Sequence, residues 1–331
     1  MEKLQYAVVG NGSWATALVK LLSETQDKLY WFVRNHENIE FIRKYKRNPT
    51  YLRSAALNTD RLIISDDLDE VVAASDVIVF CIPSTYFLAQ IKNGTVPLDG
   101  KYIISAIKGF VSKNNLTIAE YFNQVHNIPF DRIAVVSGPT HAEEVAMERL
   151  SYLTISSKRI EIADMLSKAF ASRYVKTITG TDIYGVEYSA GMKNVYAIAC
   201  GVCHALGYGD NFMAVLVTSA YNEMVHFMDL SHPDPTRVPS RSAYLGDLLV
   251  TCYSQFSRNR TFGGMIGKGY SVISAQTEMN MVAEGYYATK CIFEIARDCK
   301  IHLPIVDAMY RILYENENTE FVIRELADSL K

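Results

Sequence analysis

YAVVGNGSWATA, residues 6–17, runs an apolar strand pattern into a glycine turn and then into a helix pattern. Gly10, Gly12 and Ala15 stand in the spacing G-x-G-x-x-A, a dinucleotide-binding fingerprint. Gly10 permits the tight turn, and Gly12 lets backbone approach a pyrophosphate. Ala15 is small enough for the helix to pack closely on the strand. The unpaired N–H groups of the first helical turn then face the phosphates. The glycines alone are a weak signal; their position at the head of an alternating α/β pattern is what gives them weight.

That alternation continues outward. Apolar runs at 29–33, 61–65, 76–82, 101–107 and 132–137 read, like 6–10, as buried parallel strands, with helical stretches such as Ala15–Ser23 and Leu116–Gln124 between several of them. Two further runs, 153–157 and 174–180, flank another helix and close the pattern. The expectation is an α/β protein: an N-terminal Rossmann-like, doubly wound sheet over 1–180 that binds NAD(P). After Gly180 the strand signal stops. Helical patterns at 182–206, 212–229, 284–299, 304–315 and 318–330 predict an all-α domain over 181–331, with Pro304 suited to a first helical turn and a proline-rich loop at 231–241.

Composition narrows the function. With 33 basic and 36 acidic residues the formal charge is −3, and the basic residues form no long run, so nothing points to nucleic acid or an anionic membrane. No run of about 18 apolar residues suggests a membrane span. The start, MEKLQYAVVG, lacks the layout of a signal peptide, and six cysteines scattered among hydrophobic segments read as reduced thiols. A cytoplasmic location is expected. No metal site is expected, and a helical second domain rich in apolar residues is compatible with a homodimer.

AGMKNVYAIACGVCH, residues 190–204, admits two readings. Cys200, Cys203 and His204 match C-x-x-C-H, the attachment signature of a c-type haem. The same residues form one apolar helix pattern with a single lysine. Val195, Ile198, Ala199, Val202, Cys203 and Leu206 make its stripe, while Lys193 lies on the other side with Ala190, Ala197, Cys200 and Gly201. A desolvated lysine has a lowered pKa and can act as a general acid or base. Two more cations stand at element ends: Lys108 in SAIKGF and Arg258 in Ser257-Arg258-Asn259-Arg260. Arg34, after the second strand, occupies the place where an NAD-selective site commonly has an acidic residue; a guanidinium there permits NADP and does not exclude NAD.

Taken together, VVGNGSWATAL, NPTYL (48–52), AIKGF (106–110), SGPTHAEEVA (137–146), MKNVYAIACGV (192–202), GYGDN (207–211), LGDLLVTC (245–252), SRNRTFG (257–263) and VAEG (282–285) carry an end-to-end resemblance. The chain resembles the NAD(P)-dependent glycerol-3-phosphate dehydrogenases of the bacterial type. That resemblance implies reversible reduction of dihydroxyacetone phosphate to sn-glycerol 3-phosphate, in the service of glycerophospholipid synthesis. It implies that Ser13, Trp14, Arg34, Lys108, Ala142, Arg258, Val282 and Glu284 hold NAD or NADP alongside Gly10 and Gly12. It implies that Lys108, Gly138, Thr140, Lys193, Asn194, Asp247, Ser257, Arg258 and Asn259 contact the substrate. Lys193 would be the proton donor, helped by Lys108 and oriented by Asp247. From the residues alone, Asp247 and Glu284 could instead serve helix starts.

The chain departs from the family's usual pattern at Ala15, at Arg53-Ser54 after Tyr51-Leu52, and at Tyr244 before LGDL, where glycine, Pro-Gly and an extra glycine are usual. Beside this reading stands a β-hydroxyacid dehydrogenase of related fold acting on a carboxylate; SRNR and LGDL favour a phosphate.

Overall fold

The computed structural model describes residues 4–92, 98–279 and 282–330. It divides into two compact units. One comprises the chain up to Ile107 together with Ile118–Ile183; the other comprises Lys108–Thr117 and the chain from Tyr184 onward.

Among the described residues, the first unit carries eight strands: β1 (Tyr6–Val9), β2 (Leu29–Phe32), β3 (Leu62–Ser65), β4 (Val77–Phe80), β5 (Tyr102–Ser105), β6 (Ile133–Ser137), β7 (Ser151–Ser157) and β8 (Val175–Gly180). They form one sheet in the order β3-β2-β1-β4-β5-β6-β7-β8. Every pair is parallel except β6 with β7, where Val135 faces Ser156 in an antiparallel register. Strands β1, β4 and β6 are buried along their whole length, as a sheet covered on both faces requires. The cover is α1 (Ser13–Thr25), α2 (His36–Tyr45), α3 (Leu68–Ala73), α4 (Ser84–Lys92), α5 (Ile118–His126), α6 (Ala142–Ala146) and α7 (Ile160–Phe170). The doubly wound sheet expected from the alternating pattern is therefore present. The short helices α2 and α3 begin at side-chain caps, Asn35 and Asp67, whose oxygens accept from the N–H groups two and three residues on.

The second unit is helical: α8 (Ile183–Ala205), α9 (Asp210–Ser231), α10 (Asp247–Tyr253), α11 (Arg258–Gly267), α12 (Val272–Glu278), α13 (Glu284–Cys299), α14 (Pro304–Tyr314) and α15 (Thr319–Ser329). Helices α10 to α12 fill a stretch where no long apolar stripe predicts a helix. Residues 242–246 wind as a π turn that runs directly into α10, burying Tyr244. The short segment 108–117 joins this unit as a small turn, bridged between Val111 and Leu116 and tied to α13 by Asn115 Nδ2 donating to Glu294 Oε2 at 2.8 Å.

Two devices hold these helices in register. The first is close backbone contact between α8 and α11. A Cβ on Gly263 would stand 2.0 Å from the carbonyl oxygen of Ile198, and one on Gly201 would stand 2.1 Å from that of Arg260. The second is capping from a neighbouring helix. Glu223 on α9, 7% exposed, accepts from the N–H groups of Ile305 at 2.8 Å and Val306 at 3.1 Å, so it closes the N-terminus of α14. Burial pushes its pKa up to about 8, and those two N–H groups pull the other way.

The α8–α11 contact yields a direct test. Gly263→Ala forces the two backbones apart and is expected to cost about 1–3 kcal/mol, the usual toll of overpacking, read as a lower Tm in thermal unfolding. Unchanged stability would mean the helices can separate freely.

Candidate active site

In the first unit the fingerprint turn has the expected build. Gly10 sits at φ +128°, and a Cβ there would come within 2.2 Å of the Cys81 carbonyl oxygen, so only glycine fits. Its carbonyl accepts from Trp31 Nε1 at 2.7 Å. Gly12 is the N-cap of α1, and a Cβ on it would meet nothing within 4 Å: the backbone is open on that side. Gly12 offers α1 no side-chain cap, and the first turn carries no acidic residue. That leaves N–H groups and the helix's positive end for an anion. Ser13 and Ala15 are buried at the start of α1, with Trp14 half-buried between them. Ala15 is fully enclosed, which accounts for a small residue there.

The turn has a support that the motif does not reveal. Asn48 is 1% exposed, and its Nδ2 donates to the Asn11 carbonyl at 3.1 Å and to Thr16 Oγ1 at 2.8 Å. NPTYL thereby pins the loop 48–52 against the turn. Arg34 is exposed beyond β2, immediately before the Asn35 cap. Gly138, at φ +141°, lies where a Cβ would come within 2.6 Å of the Tyr152 carbonyl. Thr140 folds back on it, its N–H 2.7 Å and its hydroxyl 3.2 Å from the Gly138 oxygen, and Ala142 opens α6.

The second unit concentrates charge in a dry place. Lys193 on α8 is ion-paired with Asp247 at the start of α10; their side chains are 3% and 1% exposed. Lys108 Nζ lies 3.8 Å from the other Asp247 oxygen. Asp247 is not a helix cap: α10 continues from the π turn, and the position before it, Gly246, is already helical. Its carboxylate serves two lysines. Burial lowers the Lys193 pKa from 10.5 to about 7; Asp247 opposes the shift and Lys108 adds to it.

Around this pair runs a line of amides. Asn194 Nδ2 donates to the Lys108 carbonyl at 3.0 Å and to the Ala190 carbonyl at 3.1 Å. Asn259 Nδ2 donates to Asn194 Oδ1 at 2.9 Å, and Asn259 Oδ1 accepts from the Gly285 N–H, also at 2.9 Å. Four segments that the sequence holds far apart are thus stitched at Lys108, Asn194, Asn259 and Gly285. Arg258 is the first residue of α11 and exposed; Ser257 is its buried N-cap, accepting from the Arg260 N–H at 3.3 Å. Glu284 opens α13, half-buried, two residues after Val282.

The haem reading finds no support. Cys200 and Cys203 are both fully buried, while His204 is exposed, and burial drives the Cys203 pKa up to about 12. A thiol in that state is an inert packing group.

Comparison with known proteins decides between the remaining readings. Residues 5–163 match the NAD-dependent glycerol-3-phosphate dehydrogenase N-terminus, and residues 182–324 match the NAD-dependent glycerol-3-phosphate dehydrogenase C-terminus. The chain belongs to the NAD-dependent glycerol-3-phosphate dehydrogenase family. It is 32% identical over 327 residues to the glycerol-3-phosphate dehydrogenase [NAD(P)+] of Chlorobium limicola, covering 98% of this chain and 97% of that one. It is 33% identical over 331 residues to that of Lacticaseibacillus paracasei, covering 97% and 93%. Its fold superposes on the crystal structure of glycerol-3-phosphate dehydrogenase from Coxiella burnetii with a TM-score of 0.89, at 26% identity and 98% coverage of both chains. Members of this family are NAD(P)-dependent oxidoreductases, which sets aside both the haem protein and the β-hydroxyacid dehydrogenase. Among the described residues, no helix is long and apolar enough to cross a membrane.

The electrostatics of the lysine pair are open to direct measurement. In protein carrying 13Cε-labelled lysine, the Lys193 resonance is expected to titrate near pH 7. Asp247→Asn should move that midpoint lower, and Lys108→Met should move it higher. An ordinary lysine titration near 10.4 would contradict the account.

Proposed function

We propose that this chain catalyses the reversible NAD(P)H-dependent reduction of dihydroxyacetone phosphate to sn-glycerol 3-phosphate. The observation that carries the reading is the buried Lys193–Asp247 pair with Lys108 beside it. The dinucleotide, when bound, supplies the hydride to the ketone carbon. The protein's own task is to place the ketone and manage the charge that grows on its oxygen. Protonated Lys193 donates to that oxygen and becomes neutral; in oxidation, neutral Lys193 takes the hydroxyl proton. Lys108 adds a second positive charge beside the developing alkoxide. Asp247 keeps Lys193 in one position, for a free ammonium in so dry a place would turn away or lose its proton.

The phosphate end falls to Arg258 and the N-terminus of α11, a planar guanidinium beside helical N–H groups. Ser257, Asn259, Gly138 and Thr140 complete the substrate's surroundings in this reading. Gly10, Gly12, Ser13, Trp14, Arg34, Ala142, Val282 and Glu284 are assigned to the cofactor. The open backbone at Gly12, an N-cap without a side chain, and the acid-free first turn of α1 fit a pyrophosphate. Arg34 accommodates NADP or NAD. The same proposal includes a cytoplasmic, lipid-precursor role, which six cysteines outside any disulfide suit, and a homodimer, to which exposed Leu249, Tyr253 and Phe256 of the helical unit lend support.

Two assays test it. Purified protein should consume NADH or NADPH with dihydroxyacetone phosphate and should leave 3-hydroxyisobutyrate untouched in the oxidative direction. Lys193→Met should cut kcat about a hundred- to ten-thousand-fold, the usual worth of a positioned acid. Turnover of the carboxylate, or a Lys193→Met variant with normal kcat, would overturn the reading.

A further inference from the structure

Asn259 makes bonds that contact with a phosphate does not account for. Its side chain is turned inward: the residue is 8% exposed, whereas Arg258 beside it is exposed. The amide oxygen is committed to the Gly285 N–H and one amide hydrogen to Asn194 Oδ1, both at 2.9 Å. The N-cap of α13, Ala283, has no side-chain bond to offer that helix. Asn259 therefore caps α13 from the adjacent helix, satisfying an N–H that would otherwise be orphaned in a buried place. The approach is close enough to need glycine: a Cβ on residue 285 would lie 2.5 Å from the Asn194 carbonyl oxygen.

We propose that Asn259 is a positioning residue whose amide couples the start of α11 to the 282–285 segment, so that the substrate's phosphate and the dinucleotide bind cooperatively. This rests on the assignment of Ser257 and Arg258 to phosphate and of Val282 and Glu284 to cofactor. An anion on the N-terminus of α11 holds that turn in one position. The Asn259 oxygen then stays aligned with the Gly285 N–H, and the residues that contact the dinucleotide are already ordered when it arrives. The other half of the amide passes the same constraint to Asn194, and through it to the Lys108 carbonyl. Coupling of this kind is reciprocal: cofactor tightens phosphate by the factor with which phosphate tightens cofactor.

The test measures NADH affinity by fluorescence with and without saturating glycerol 3-phosphate, in wild type and Asn259→Ala. In wild type the substrate should tighten NADH about tenfold, within the common range for such coupling. In Asn259→Ala the factor should fall to about one, and glycerol 3-phosphate affinity is measured alongside in the cofactor-free protein. If Asn259 is only a phosphate ligand, glycerol 3-phosphate binding weakens about tenfold or more while the coupling factor survives, and the proposal fails. Wild type that binds neither ligand would sink the assignment of the site itself, a separate outcome. Should Asn259→Ala not fold, Asn259→Ser keeps a polar group too short to span both partners and serves the same comparison. Hydrogen exchange in unaltered protein adds a readout: glycerol 3-phosphate alone should slow exchange across residues 283–288, and no slowing there would contradict the coupling.

Discussion

A lysine that is 3% exposed and an aspartate that is 1% exposed, paired inside a helical unit, set the terms for everything around them. Desolvating two charges costs several kcal/mol each, and a buried ion pair often contributes no more stability than packed hydrophobes of the same volume. Such a pair is weak evidence of stabilisation and better evidence of chemistry. Its surroundings are built to hold it. The π turn at 242–246 delivers Asp247 already inside a helix, where its carboxylate meets two lysines. The glycine contact between α8 and α11 brings their backbones together so that Asn194, next to Lys193, can reach Asn259. In the proposed reading, the fold here keeps one amine dry, charged at the right moment, and immobile.

The two units answer to different physics. The first offers backbone: an open glycine, the N–H groups of α1 and a turn propped by Asn48. The second offers side chains: two lysines, one carboxylate, an arginine and a line of amides. In the proposed reading the first holds a dinucleotide that carries the hydride, and the second manages a proton and a phosphate. That division explains why the dinucleotide end leaves a compact motif in the sequence and the chemical end does not.

Much of the fold was legible. Each of the eight strands announced itself as an apolar run of the right length, and the fingerprint followed from three small residues. The antiparallel turn of β7 was not, because strand direction depends on the connection and not on the strand's own residues. Lys193 was legible as a candidate, though for an incomplete reason. The helical wheel puts it opposite an apolar stripe, yet Ala197 and Cys200 on its own side are as buried as Val195 and Ile198. A helix enclosed all round has no informative stripe. The Glu223 cap of α14 and the Asn194–Asn259–Gly285 line were illegible, since they join residues separated by 82, 65 and 26 positions. The grouping of Lys108–Thr117 with the helical unit was hidden for the same reason: chain order places it among the strands.

The claim on which the account turns is that Lys193 exchanges the proton of the reaction with its pKa set by burial against Asp247. The dependence of kcat/KM on pH in both directions tests this most directly. Reduction needs the protonated amine, so its rate should fall as pH rises through about 7; oxidation needs the neutral amine and should rise across the same interval. Because Asp247 favours the charged form, Asp247→Asn should carry both limbs to lower pH. Limbs that stay put in Asp247→Asn, or reduction that persists undiminished to the pH range of an ordinary lysine near 10.4, would contradict it.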